Sequence, residues 1–244
     1  MDVDEQNCQK VVQPFPKWKR ILDLCFIVAT LPLSVALCAV IAAYIKLASP
    51  GPVLFRQERV GLRGQRFMCL KFRTMHVGAD HSGHRNDLGQ LINSQSPMIK
   101  LDACGDSRII AGCGLLRALG LDELPQLFNV LKGEMSVVGP RPCIPYEFEQ
   151  FTPAQRRRFD SRPGLTGLWQ VSGKNRTTFQ QMISLDIRYS QQQSLGLDLF
   201  IIAKTPIVLF EQLIGKLFRP KRLPKVVLER NLPALEQNLE KATR

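Results

Sequence analysis

Residues 24–45 run for 22 positions without a charge, LCFIVATLPLSVALCAVIAAYI. At about 1.5 Å rise per residue, a helix of that length covers a hydrocarbon core of about 30 Å. One transmembrane span is the simplest reading. A cleaved signal peptide fits poorly, because the run is long and its basic flank begins well inside the chain. The flanking charges oppose a simple span. Lys10, Lys17, Lys19 and Arg20 precede the run, and Lys46, Arg56, Arg59, Arg63, Arg66, Lys71 and Arg73 follow it, opposed only by Glu58. Basic residues favour the cytoplasmic side, so a spanning helix would leave one cluster on the wrong face. Pro32 offers another geometry. It removes a backbone donor in mid-run and bends a helix, so the chain could enter the bilayer and leave by the same face, with Thr30 or Ser34 serving the freed backbone groups. Charge and proline leave both geometries open, and both attach the chain to a membrane.

The remainder is an ordinary mixed sequence. Its 244 residues have room for one sizeable domain plus an appendage. A hydrophobic fraction of 45% excludes global disorder. The 33 Lys and Arg against 21 Asp and Glu leave a net charge of +12, which suits an anionic partner. Seven cysteines with no CxxC pair argue against a disulfide framework or a zinc module and point to a reducing compartment. Short strands are expected at Val53–Phe55 and Arg66–Phe72, joined through Gly61 and Gly64. His76 to Ser96 reads as a polar surface loop. Helical pieces follow at Leu115–Leu119 and Leu124–Leu131, the second ended by Gly133. A polar helix is expected at Tyr146–Asp160, a glycine-rich loop at Arg162–Gly173, and a helix at Thr178–Ser190. From Leu195 to Phe218 the apolar spacing suits either an amphipathic helix in an anionic membrane surface or a helix packed on the core.

Chemistry concentrates at Leu121-Asp122-Glu123-Leu124-Pro125. As structure, Asp122 is an N-cap and the acidic pair suits a helix dipole. As chemistry, a carboxylate kept ionised by a helix N-terminus can act as a phosphoryl-accepting nucleophile. Attack on a diphosphate by an anion then requires neutralising groups. Mg²⁺ held by Glu123 could supply one, and Lys71, Arg73, Arg117 and Arg141 are candidate phosphate clamps. His76, Asp80, His81 and His84 read as a solvated loop rather than a metal cluster. Arg156–Arg158 resemble a nucleic-acid patch in charge alone, with no reader motif, so no nucleic-acid partner is expected.

Several linked motifs carry a resemblance. Lys19-Arg20-x-x-Asp23 precedes the proline-broken run, followed by Ser49-Pro50-Gly51-Pro52, Phe55-x-Gln57-x-Arg59-x-Gly61 and Lys71-Phe72-Arg73-Thr74-Met75. The acidic segment, Ser136–Pro142 (SVVGPRP) and Arg162-Pro163-Gly164-Leu165-Thr166-Gly167 come next. In this order they resemble the bacterial sugar transferase family, the monotopic polyprenyl-phosphate phosphoglycosyl transferases that start exopolysaccharide and related glycoconjugate synthesis.

The resemblance implies an α+β, mostly helical fold with a membrane-embedded re-entrant helix kinked at Pro32, a small β-hairpin and amphipathic interfacial helices. Expected boundaries are an N-terminal flank at 1–18, the re-entrant helix at 19–48, a cytoplasmic catalytic domain at 49–222 and a polar tail at 223–244. It also implies an Mg²⁺-dependent, two-step transfer from a nucleotide-diphosphate sugar to polyprenyl phosphate at the bacterial cytoplasmic membrane. Asp122 falls at the nucleophile position and Glu123 at that of the metal-linked acid. Lys71, Arg117, Arg141 and Asp186 fall where the family keeps charged active-site residues. Gly120 departs from the small polar residue that related sequences often carry there, which suggests a slightly looser turn. The sequence admits a homo-oligomer. A membrane-anchored basic scaffold without catalysis is the alternative from another class.

Overall fold

The computed structural model describes residues 15–78, 108–173 and 177–218. The N-terminal flank to residue 14, most of the polar loop from His76 to Ser96, and the tail at 223–244 lie outside the described residues.

Helix α1 (Lys17–Ala48) takes in the whole apolar run and continues through Pro32. The proline leaves the Val28 carbonyl without its usual donor. Thr30 and Ser34 do not serve that carbonyl. Thr30 Oγ1 donates to Phe26 O at 2.8 Å and Ser34 Oγ to Leu31 O at 3.0 Å, back-bonding of the kind that bends helices. Both ends of α1 are fastened to the same body. Near its start, Arg20 donates to Val130 O and Leu131 O at 2.6 Å each. Asp23 Oδ1 accepts from Ser136 Oγ at 2.8 Å and from the Val137 amide at 2.9 Å. Near its end, Ile41 and Ile45 pack with Phe72, Ile110 and Cys113, and Tyr44 donates to Ala111 O at 2.7 Å. Between these anchors Val28, Leu31, Leu33, Val35 and Val40 are exposed.

Strands β1 (Leu54–Val60) and β2 (Arg66–Phe72) form an antiparallel hairpin, so the first strand is longer than the sequence suggested. Its added residues are four consecutive polar ones, Arg56 to Arg59, and Val60, and sheet pairing rather than hydrophobicity recruits them. Helix α2 (Cys113–Leu119), a 3₁₀ turn at Leu121–Glu123 and helix α3 (Gln126–Lys132) follow, with Gly133 closing α3 at φ 81°. Strand β3 (Ser136–Val138) then pairs in parallel with β4 (Gly164–Thr166). The glycine-rich segment expected as loop therefore contains a strand, and a short helix α6 (Leu168–Val171) after it. Its glycines allow close backbone approach. A Cβ on Gly139 would lie 2.1 Å from Arg162 O, one on Gly164 2.0 Å from Gly139 N, and one on Gly167 2.2 Å from Gly139 O.

The polar helix expected at Tyr146–Asp160 is broken into α4 (Pro145–Gln150), α5 (Pro153–Arg156) and a 3₁₀ turn at Arg157–Asp160. Pro153 has no amide to continue α4, and Thr152 caps α5 instead. Helix α7 (Phe179–Gln191) starts from a Thr178 cap, and α8 (Leu195–Phe218) runs as one helix through Pro206. Helix α8 packs one side on the core and leaves apolar residues exposed on the other. Asp198 and Ile201 are buried on the core, while Leu199, Phe200, Ile207 and Phe210 are exposed. Lys19 joins the first helix to the last two, with Nζ 2.5 Å from Asp198 Oδ2 and 2.7 Å from the Tyr189 hydroxyl.

Candidate active site

Asp122 and Glu123 sit in the 3₁₀ turn between α2 and α3. Asp122 is not the N-cap expected of it. Pro125 occupies that position and no side chain caps α3. Gly120 supplies the bend before the dyad, with φ 69° and open space where a Cβ would stand. The residue that looked like a loosening departure is thus suited to a left-handed conformation that costs other L residues energy.

The hairpin presents the counter-charge. Its register pairs Phe55 with Lys71, Gln57 with Cys69, and Arg59 with Phe67, which places Gln57, Arg59, Cys69 and Lys71 on one face. Lys71 Nζ reaches Glu123 Oε1 at 2.6 Å. Asn129 holds this strand to α3, accepting from the Leu70 amide at 3.1 Å and donating to Met68 O at 2.8 Å.

Two buried thiols report the surrounding charge. Burial raises the Cys69 pKa, while Lys71, Arg59 and Arg141 draw it down and Glu123 raises it further. Burial likewise raises Cys113, with Asp122 adding to the rise and Arg73 and Arg117 opposing it. The charges of Lys71, Glu123, Arg59 and Arg141 thus act on the Cys69 thiol, and those of Asp122, Arg73 and Arg117 on Cys113.

The predicted clamps differ in their attachments. Arg117 donates to Thr74 Oγ1 at 3.0 Å. Arg73 is buried and ties the end of α1 to the hairpin, donating to Pro52 O, Ser49 Oγ and Ser49 O. Arg141 lies in the Pro140-Arg141-Pro142 segment, whose carbonyls are held by two buried guanidiniums. Arg158 donates to Arg141 O at 3.0 Å, and Arg59 to Pro142 O at 3.2 Å. Asp186 is fully enclosed behind this segment, 2.5 Å from Arg158. Burial raises its pKa to about 6, with Arg158 and then Arg141 opposing the rise. Its place in the structure is against Arg158 rather than against the dyad.

Sequence reasoning gave no structural role to Arg59, Asn129, Arg158 and Asp198. Arg59 and Asn129 had a signal, a cation within the Phe55-x-Gln57-x-Arg59-x-Gly61 motif and an amide inside an apolar helix. The buried role of Arg158 had none, since it stands in a run of three arginines that reads as a solvated face.

Mg²⁺ commonly binds one or two carboxylates and completes its shell with phosphates and water, and Asp122 and Glu123 are the adjacent carboxylates that this turn could offer such an ion. Glu123, beside Asp122, would hold it.

Comparison with known proteins adds the ancestry. Residues 15–212 match the family model described as bacterial sugar transferase. The exopolysaccharide production protein ExoY of Sinorhizobium fredii is 36% identical over 187 residues, covering 77% of this chain and 83% of that protein. The UDP-glucose:undecaprenyl-phosphate glucose-1-phosphate transferase of Caulobacter vibrioides is 40% identical over 195 residues, 77% of this chain and 67% of that protein. The undecaprenyl-phosphate galactose phosphotransferase of Salmonella typhimurium is 36% identical over 168 residues, which is 66% of this chain but 34% of that longer protein. With the dyad turn, the lysine-bearing hairpin and the interlocked glycine strands all inside the matched region, the chain belongs to the bacterial sugar transferase family.

Proposed function

We propose that this protein transfers a sugar-1-phosphate from a nucleotide-diphosphate sugar to undecaprenyl phosphate, the first membrane step of exopolysaccharide or related glycoconjugate synthesis. The observation that carries this reading is the Asp122-Glu123 turn with Lys71 on Glu123, set against a cationic face and inside the family match. The Caulobacter and Salmonella relatives are named for polyprenyl-phosphate transfer of different sugars, so the reading commits to the reaction and leaves the sugar to experiment.

In the first step an Asp122 carboxylate oxygen attacks the phosphorus that bears the sugar. The bond from that phosphorus to the bridging oxygen breaks, and the nucleoside monophosphate leaves with the electron pair. In the second step a phosphate oxygen of the acceptor attacks the same phosphorus, and the Asp122 carboxylate leaves. Lys71, Arg117 and Arg141 offset the charge that repels one anion from another. Mg²⁺ at Glu123 would neutralise the diphosphate and ease departure of the monophosphate.

The fastening of α1 supports membrane re-entry, with the catalytic body on the cytoplasmic face. Its two ends are tied to one body, whereas a helix crossing about 30 Å of hydrocarbon would separate the Arg20 and Tyr44 anchors onto opposite sides. Release of nucleoside monophosphate from a panel of nucleotide sugars, by protein in nanodiscs with Mg²⁺ and undecaprenyl phosphate, tests the reading. Turnover with at least one donor is expected. Folded, membrane-bound protein that turns over none of them would favour the scaffold instead.

A further inference from the structure

A cavity of about 300 Å³ lies between the middle of α1 and the second half of α8, and the dyad turn closes one side of it. Phe26, Leu33 and Leu37 form one wall, Val208 and Leu209 the opposite wall, and Gly120 and Glu123 the catalytic side. That volume could hold several waters, yet the walls offer few groups to bind them. The hydroxyls among them are already committed. Thr30 and Ser34 donate to their own helix, Thr205 Oγ1 donates to Ile201 O at 2.7 Å, and Thr166 and Thr205 share a 2.8 Å contact. Gln170 Nε2 donates to Leu165 O, and its Oε1 is a buried acceptor without a partner. A carbonyl oxygen repels phosphate, so an anionic head belongs outside this space, towards Lys71 and Arg117.

The entrance is apolar as well. Leu33 lines the cavity and is 66% exposed, with Leu31 exposed beside it on α1 and Ile207 and Phe210 exposed on α8. An apolar space that opens among exposed aliphatic side chains and ends beside the Lys71–Glu123 pair suits a hydrocarbon chain whose anionic terminus lies by the lysine.

Resting on the transferase reading, we propose that the cleft between α1 and α8 holds the first isoprene units of the lipid acceptor. The chain enters sideways from the membrane and its phosphate stops at the dyad, so Leu37, Val208 and Leu209 set acceptor affinity and α8 is part of the acceptor site.

The test uses the full chain in nanodiscs and varies donor and acceptor separately. Val208→Phe narrows the cleft, and its KM for undecaprenyl phosphate is expected to rise about tenfold or more, with donor KM within about twofold of the parent. A diazirine-bearing polyprenyl phosphate is expected to label the 205–212 segment, and unmodified undecaprenyl phosphate to suppress the label. An unchanged acceptor KM in an active Val208→Phe, or labelling confined to residues outside α1 and α8, overturns the proposal. So does a diazirine phospholipid that labels the cleft and is not displaced by undecaprenyl phosphate. These outcomes require an active parent enzyme, whereas failure of the transferase reading would appear as absent turnover in the parent itself.

Discussion

Lys71–Glu123 and Arg158–Asp186 are both short carboxylate–cation pairs, at 2.6 and 2.5 Å, but their surroundings are opposite. The first keeps 19% and 35% of its side chains exposed, the second 2% each. A buried pair cannot change partners without leaving a bare charge, so its contribution is to shape. A partly exposed pair loses less on parting, which suits the proposed role of these two groups at a phosphate and a metal. Arg158 also donates to the Arg141 carbonyl, so the buried pair holds the backbone that carries Arg141. The charges proposed to react and those that support the fold thus differ in burial, although in the sequence they are all simply Lys, Arg, Asp and Glu.

That division can be broken from either side. The largest effect is expected at the turn itself: Asp122→Asn should lower turnover by about 10⁴-fold or more, since it removes the proposed nucleophile, while thermal unfolding stays close to the parent. A comparable fall in stability would make Asp122 a structural carboxylate. At the buried pair the pattern should reverse. Arg158→Met leaves Asp186 enclosed without its partner and is expected to cost about 3–5 kcal/mol in denaturant unfolding, with much of the loss recovered in Arg158→Met/Asp186→Leu.

The pH dependence follows from the same burial. The Asp186 pKa is raised from 3.8 to about 6, so between those values the folded state binds the proton that the unfolded state has released. Its contribution therefore makes stability fall as pH rises from about 4 to 6. Asp186→Asn should flatten that part of the profile. A profile with the same slope in Asp186→Asn would assign the titration to another group.

Lys71→Ala should resemble Asp122→Asn in kind and fall short of it in size. Turnover is expected to drop about 10²- to 10³-fold, as for loss of one preorganised charge at a transition state, with a stability change below about 1 kcal/mol. The smallest effect is expected at Gly120. With φ at 69° and open space around it, Gly120→Ala should cost about 1 kcal/mol through backbone strain, and Gly120→Asn less.

What the sequence revealed follows the same line. The long apolar helix, the hairpin, the dyad and Gly133 were legible because each depends on local pattern or on backbone chemistry. The β3–β4 pair was not, because it forms through close approach of glycines far apart in the chain, and glycine-rich text reads as loop. Asp186 matched a family position yet lies behind Arg141, and Arg158 looked like solvated charge. Both depend on tertiary burial, which local patterning does not encode. The anchoring of both ends of α1 to one body was invisible for the same reason: Arg20, Asp23 and Tyr44 find their partners more than 60 residues away.

Intact-mass spectrometry of the protein incubated with its nucleotide sugar and Mg²⁺, without acceptor, tests the central claim most directly. The account predicts a covalent sugar-phosphate adduct on Asp122 that undecaprenyl phosphate discharges and that Asp122→Asn never forms. Active enzyme that carries no adduct and releases nucleoside monophosphate only when acceptor is present would contradict it, and would point to direct displacement on the donor.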